Sequence, residues 1–165
     1  MNTVFARVEA SPFSVWVRES TSVFAFPAIL SAHTLGMGLV AGINAAITLR
    51  ILGLAPQVPL MEMKRFFPMM WFGFWLNAAS GVVLLIGYPT KALTNPVFYA
   101  KLAFIAIGLR VVAMIGHQVF CDPRLDQGSV PRRGRILAIA SLVCWACAIT
   151  TGRFLAYTYQ RLMTV

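Results

Sequence analysis

The chain has 165 residues, of which 59% are hydrophobic and 12% charged, with a mean hydropathy of +0.76. A soluble domain is about half apolar and about a quarter charged, and so short a chain has too little interior to hide the excess; lipid, not water, is the expected solvent. The net charge of +9 does not point to nucleic acid, because the basic residues stand at the ends of apolar runs and are not gathered on a soluble face.

The opening MNTVFARVEASPF lacks a basic stretch followed by an apolar core and a small-residue cleavage site, so no cleaved signal is expected. Ser11-Pro12 reads as the cap and first residue of a short helix over about 12–19. Phe13, Trp16 and Val17 would share one face, with Arg18 and Glu19 off it, as in an interfacial helix lying on the membrane.

Four apolar runs then reach the about 20 residues that a spanning helix needs. The first covers about 22–52 and is longer than a bilayer requires. The second, about 66–88, follows Lys64 and Arg65 and ends at Gly87-Tyr88-Pro89. Asn95-Pro96 opens the third, about 96–120, as an N-cap followed by proline. Arg132, Arg133 and Arg135 introduce the fourth, about 136–159. Backbone groups in hydrocarbon must bond internally, which makes each run a helix. The fold class is therefore all-α: an integral membrane four-helix bundle with a short N-terminal interfacial amphipathic helix, one transmembrane domain over residues 1–165.

Charge sets the expected orientation. Lys64, Arg65, Arg124, Arg132, Arg133 and Arg135 fall in the first and third connections, with Arg50 where the first helix exits. The second connection offers Lys91, and the terminal segments offer Arg7, Arg18 and Arg161. Basic loops stay in the cytoplasm, so both termini are expected on the periplasmic or exterior side of a bacterial inner membrane.

An ionisable group inside a span costs several kcal/mol unless it is paired or wetted, so such groups are the functional candidates. His33, Lys101, Arg110, His117 and Arg153 are the five. His33 shares a helical stripe with Gly36, Met37, Val40 and Asn44, and Gly38 and Gly42 thin the same helix. Gly73, Asn77, Ser80 and Gly81 form a similar stripe on the second span. Small residues at these spacings are also ordinary helix-packing surfaces. Arg110 and His117 lie two turns apart on one face of the third helix. Lys101 points nearly opposite and close to the exterior, where snorkelling is the simpler reading. Arg153 stands near the end of the fourth helix.

Both histidines of the chain lie in spans. Membrane b-type cytochromes hold haem iron with imidazoles, admit the porphyrin at glycines and neutralise its propionates with arginine or lysine. Counted from the exterior ends at about 1.5 Å per residue, His33 is about 16 Å deep and His117 about 30 Å deep. Two ligands of one iron must share a depth, so separate haems fit better. Lys101 and Arg153 stand at the level of a haem on His33, and Arg110 is nearest one on His117. Copper is the rival metal, with Met61, Met63, Met69, Met70, Cys144 and Cys147 as soft ligands. The two cysteines read rather as small packing residues, and Lys64 and Arg65 among the methionines would repel a cation. The chain's five acids, Glu9, Glu19, Glu62, Asp122 and Asp126, lie outside the spans or at their edges, which disfavours a carboxylate-driven proton pump. No nucleophile–base pair or phosphate loop is present.

The stretches HTLGMGLVAG and ITLRILGL, FFPMMWFGFWLNAASGVVLLIGYP, NPVFYAKLAF and TTGRFLAY resemble a bacterial family of small four-helix integral membrane proteins. They are distantly similar to the membrane domain of copper-resistance protein D and to membrane b-type cytochromes. The residues carrying the likeness are His33, Arg50, Pro68, Gly73, Gly81, Lys101, His117, Gly152 and Arg153; Arg110 stands where an uncharged polar residue is expected nearby. The resemblance implies redox or copper handling and carries no particular reaction with it. The expected function is a haem-b subunit passing electrons between a quinone pool and a partner protein, with His33 as principal ligand and His117 as a second. The alternatives are a copper-handling or transport protein and a structural accessory subunit. An electron-transfer or accessory role is favoured over a stand-alone enzyme.

Overall fold

The computed structural model describes residues 2–121 and 130–162. Asp122, Arg124 and Asp126 of the third connection lie outside the described residues, as does the side chain of Arg161. Among the described residues the fold is entirely helical. In chain order the elements are α1 (Asn2–Glu9), α2 (Pro12–Glu19), α3 (Phe26–Ile51), a 3₁₀ helix (Leu60–Phe66), α4 (Phe67–Gly87), α5 (Pro89–Leu93), α6 (Pro96–Gln118) and α7 (Arg132–Leu162).

Four of these are long and apolar enough to cross a bilayer. The shortest, α4, has 21 residues, about 31 Å at 1.5 Å each, which matches a hydrocarbon core of about 30 Å. Within their apolar windows only 11% to 28% of residues are buried inside the bundle. Leu35, Phe72, Trp75 and Val143 are among the large side chains on the outside. A bundle that turns so much apolar surface outward has lipid as its solvent; this is a multi-pass membrane protein.

Local signals explain where the helices begin. The side chain of Ser11 accepts from the Ser14 amide at 3.3 Å, with Pro12 in the first turn of α2. Asn95 Oδ1 accepts from the Val97 amide at 3.0 Å, with Pro96 opening α6. Two boundaries differ from expectation. Helix α3 starts at Phe26, after a turn over residues 23–25. Helix α7 starts at Arg132, so Arg132, Arg133 and Arg135 lie in its first turn and not ahead of it. Helices α1 and α5 were not anticipated; both are short.

The short helix α2 is present with its aromatic pair turned outward, as an interfacial helix requires; Val17, expected on that face, points into the protein instead. Ser14 and Val17 are buried, while Phe13 and Trp16 are exposed and stack on each other, ring centres 6.2 Å apart. The reason is the end of α4, whose last carbonyls have no partner within their own helix. Ser14 Oγ donates to the carbonyls of Ile86 and Gly87 at 3.1 and 3.3 Å. Arg18 donates to the Gly87 carbonyl at 3.0 Å and to that of Glu9 at 2.9 Å, placing a cation at the negative end of the α4 dipole. Val17 fills the space left by the missing side chain of Gly87. The face that docks is thus Ser14, Val17 and Arg18, and the aromatic pair turns outward.

In the bundle α3 packs on α4, α6 on α7, and α3 on α7. One end holds the starts of α3 and α6 and the finishes of α4 and α7; we call it the histidine end. At the opposite, basic end lies a tight core of Ile47, Ile51, Leu60, Val111, Ile115, Val119, Phe120 and Ala138. A second cluster, Val40, Met70, Val112 and Trp145, fills the middle. Asn44 Oδ1 accepts from Ser141 Oγ at 2.8 Å between α3 and α7. Arg50 folds back on its own connection, donating to the carbonyls of Val58 and Pro56. Phe67 of α4 meets Phe120, just past the end of α6, edge to face at 5.4 Å, but α4 and α6 are not packed backbone to backbone along their length.

Candidate functional site

Towards the histidine end, beyond Val40 and Trp145, α4 and α6 stand apart. The wedge between them holds an apolar cavity of 490 Å³, adjoined by a second of 330 Å³. His33, Gly81, Leu85, Phe98 and Lys101 line both. Volumes of this order accommodate small ligands and cofactors.

His33 is held by α4. Its Nδ1 lies 3.0 Å from the carbonyl oxygen of Asn77 and 3.2 Å from Ser80 Oγ. The carbonyl can only accept. The Ser80 hydroxyl donates to the carbonyl of Leu76 at 2.7 Å, so towards the imidazole it too accepts. Nδ1 is therefore assigned the proton, and Nε2 carries the lone pair. The Asn77 amide also lies 3.3 Å from Nδ1, but its shorter bond, 2.7 Å, is to the carbonyl of His33. No hydrogen-bond partner meets Nε2 among the described residues. A Cβ on Gly81 would come within 3.1 Å of His33 Cε1; glycine there leaves the ring its place.

The helices can hold this geometry because α3 and α4 approach closely. A Cβ on Gly36 would lie 2.6 Å from the Asn77 backbone nitrogen and 2.7 Å from the Gly73 oxygen. Gly73 in turn meets Leu39. The packing reading of the two small-residue stripes is what the geometry displays at Gly36 and Gly73. Gly38 and Gly42 meet nothing within 4 Å and take no part.

Lys101 enters from α6. Its stem runs over Gly152 of α7, where a Cβ would lie 3.7 Å from Lys101 Cε. Its ammonium has no hydrogen-bond acceptor and no carboxylate partner among the described residues. The described acids are engaged elsewhere: Glu9 accepts from the Thr90 amide at 3.1 Å, Glu19 faces Arg18, and Glu62 pairs with Arg65. The wedge thus presents one oriented imidazole and one ammonium to an otherwise apolar space. That combination suits a largely apolar molecule bearing an anionic or strongly accepting group.

Of the five sequence candidates, the fold brings His33 and Lys101 together. Arg153 is exposed and lines neither cavity, although its neighbour Gly152 does. Arg110 and His117 are exposed on α6, on the side away from the bundle. His117 stands in the last turn of α6, at the end opposite His33, so the two imidazoles do not face one space. Asn77 and Ser80, read from sequence as packing residues, orient His33. Their spacing on α4 was visible, but which helix they faced was not. Trp145, closing the middle of the bundle against Gly108, carried no sequence signal beyond its size.

The soft side chains do not gather. Met61 and Met69 are exposed, Met63 packs on the basic-end core and Met70 is buried in the middle cluster. Cys144 packs towards Gly108. No group of three or more His, Cys, Asp or Glu side chains converges among the described residues.

The fold is that of a multi-pass membrane protein, and its cavity brings a histidine and a lysine together. Set beside the models of known protein families, the curated proteins and the solved structures, the chain matches none.

Proposed function

We propose that this chain is a haem-b-carrying subunit of a bacterial inner membrane that passes electrons between a quinone pool and a partner protein. The observation that carries the reading is the orientation of His33. Its Nδ1 proton is fixed on the Asn77 carbonyl, which leaves Nε2 unprotonated and unbonded at the edge of an apolar cavity. A histidine that ligates a metal donates its other ring nitrogen to a carbonyl in this way. The sequence resemblance to membrane b-type cytochromes points to the same chemistry.

The residues present fit the group. His33 Nε2 would hold the iron, Gly81 leaves the imidazole its place and Lys101 would neutralise a propionate. Haem b, when bound, supplies one-electron exchange at the iron. The protein's own contribution is orientation and exclusion of water. Asn77 and Ser80 fix the imidazole, Val40 and Trp145 close the space towards the middle of the bundle, and the open side between α4 and α6 faces lipid. The placement of His33 and His117 at opposite ends of the bundle favours separate groups over one shared between them. In the membrane, the basic connections would face the cytoplasm and the histidine end the exterior.

The test is a visible spectrum of the detergent-purified protein, oxidised and dithionite-reduced. A Soret band and a redox-sensitive alpha band support the reading. A colourless preparation with stoichiometric copper would replace it with copper handling; a colourless, metal-free one would leave a structural accessory role.

A further inference from the structure

A charge outside the wedge identifies a second surface. Helix α6 turns Lys101, Gly108, Val112 and Ile115 towards the bundle and turns Ala103, Ala106, Arg110, Ala113 and His117 outward, all exposed. The outward set recurs at alternating steps of three and four, which is the seam of a helix pair. Arg110 is the critical member. It lies three residues from the middle of α6 and eight from its nearer end, roughly 12 Å at 1.5 Å per residue. Its guanidinium has no acceptor among the described residues, and it stands exposed on a helix long and apolar enough to cross a membrane.

We propose that this face of α6 docks a transmembrane helix of a different protein, one carrying an aspartate or glutamate at the depth of Arg110. The alanines on either side let a partner backbone approach closely, and a guanidinium is matched in planarity and charge by a carboxylate. A second copy of this chain does not fit. None of α3, α4, α6 or α7 contains an acidic residue, and a two-fold pairing of α6 on itself would set Arg110 against Arg110. The inference is independent of the haem reading, since the seam and the wedge lie on opposite sides of α6.

The experiment uses the full chain in neutral phosphatidylcholine vesicles at alkaline pH. The probe is a dansyl-labelled, single-span leucine–alanine peptide with glutamate at its centre, against the same peptide with glutamine. Energy transfer from the protein's tryptophans reads association. The glutamate peptide should bind about tenfold more tightly than the glutamine peptide, the scale of a polar contact between helices in lipid. Arg110→Gln should remove that difference and Arg110→Lys should keep part of it. Ala113→Leu, which fills the seam and retains the charge, should weaken both peptides. Equal binding of the two peptides, or a glutamate preference that survives Arg110→Gln, overturns the proposal. So does loss of the preference when phosphatidylglycerol is added, because lipid phosphate would then be the partner of Arg110. Self-association of the chain that Ala113→Leu abolishes overturns it in favour of a second copy.

Discussion

His33 Nδ1 and the main-chain oxygen of Asn77 lie 3.0 Å apart, joining α3 to α4 beside the cavity. The bond is returned by the Asn77 side chain, which donates to the His33 carbonyl at 2.7 Å. The reciprocal pair fixes the ring and its protonation pattern together, and both depend on how closely the two helices approach.

That approach depends on Gly36. Replacing it with alanine places a Cβ within 2.7 Å of backbone atoms of α4, which a flexible side chain cannot relieve. Gly36→Ala should cost about 1–3 kcal/mol, the usual range for overpacking, read as a fall in the thermal midpoint in detergent. Gly38→Ala, where the new methyl meets nothing, should be neutral or stabilise by about 0.5–1 kcal/mol through helix propensity. Equal losses at both positions would contradict the packing described.

Ser141 and Asn44 form the polar contact between the two helical hairpins. Ser141→Ala should destabilise by about 0.6–2 kcal/mol, the span measured for hydrogen bonds between membrane helices, and Asn44→Leu should not add to that loss in the double variant beyond its own packing change. A double-variant cycle followed by denaturant unfolding measures the coupling.

Arg18 closes the end of α4. Its loss in Arg18→Leu leaves the carbonyls of Gly87 and Glu9 with one donor fewer, at about 1–2 kcal/mol for charge-assisted bonds at a half-wet site. The expected result is faster cleavage of the first 20 residues by a non-specific protease, with the four spans still folded.

The four spans were legible because a chain this apolar can be soluble only in lipid, and lipid permits little besides helices. Ser11-Pro12 and Asn95-Pro96 marked their helix starts because a cap and a proline act through neighbouring residues alone. Periodicity put Phe13, Trp16 and Val17 on one face with Arg18 off it; Ser14, Val17 and Arg18 are brought to one side by what they dock on, the α4 terminus. The candidate site was half legible for the same reason. The expense of a charge in lipid singled out His33 and Lys101, and equally Arg110, His117 and Arg153. Sequence gives the residues that share a helix face, but not the direction of that face in the bundle. The wedge arises from the splay of α4 from α6, consecutive spans whose relative tilt neither helix's own pattern fixes.

Lys101 tests the electrostatics of the wedge. With the proposed haem in the wedge, a cation roughly 10 Å from the redox centre, at an effective dielectric of about 20, would favour the reduced form by about 1–2 kcal/mol. Lys101→Met should therefore lower the midpoint potential by on the order of 50 mV, at the one-electron scale of about 59 mV per tenfold change. Potentiometric titration of the variant checks both sign and size, and an unchanged or raised potential would place the ammonium away from the redox group.

The most direct measurement compares His33→Ala with His117→Ala in the purified, haem-supplemented protein, scoring the pyridine haemochrome per folded chain. The account predicts that His33→Ala loses the bound haem while circular dichroism still reports the four helices, and that His117→Ala retains it. Full haem content in His33→Ala, or its loss in His117→Ala alone, would contradict the assignment of the site to the wedge.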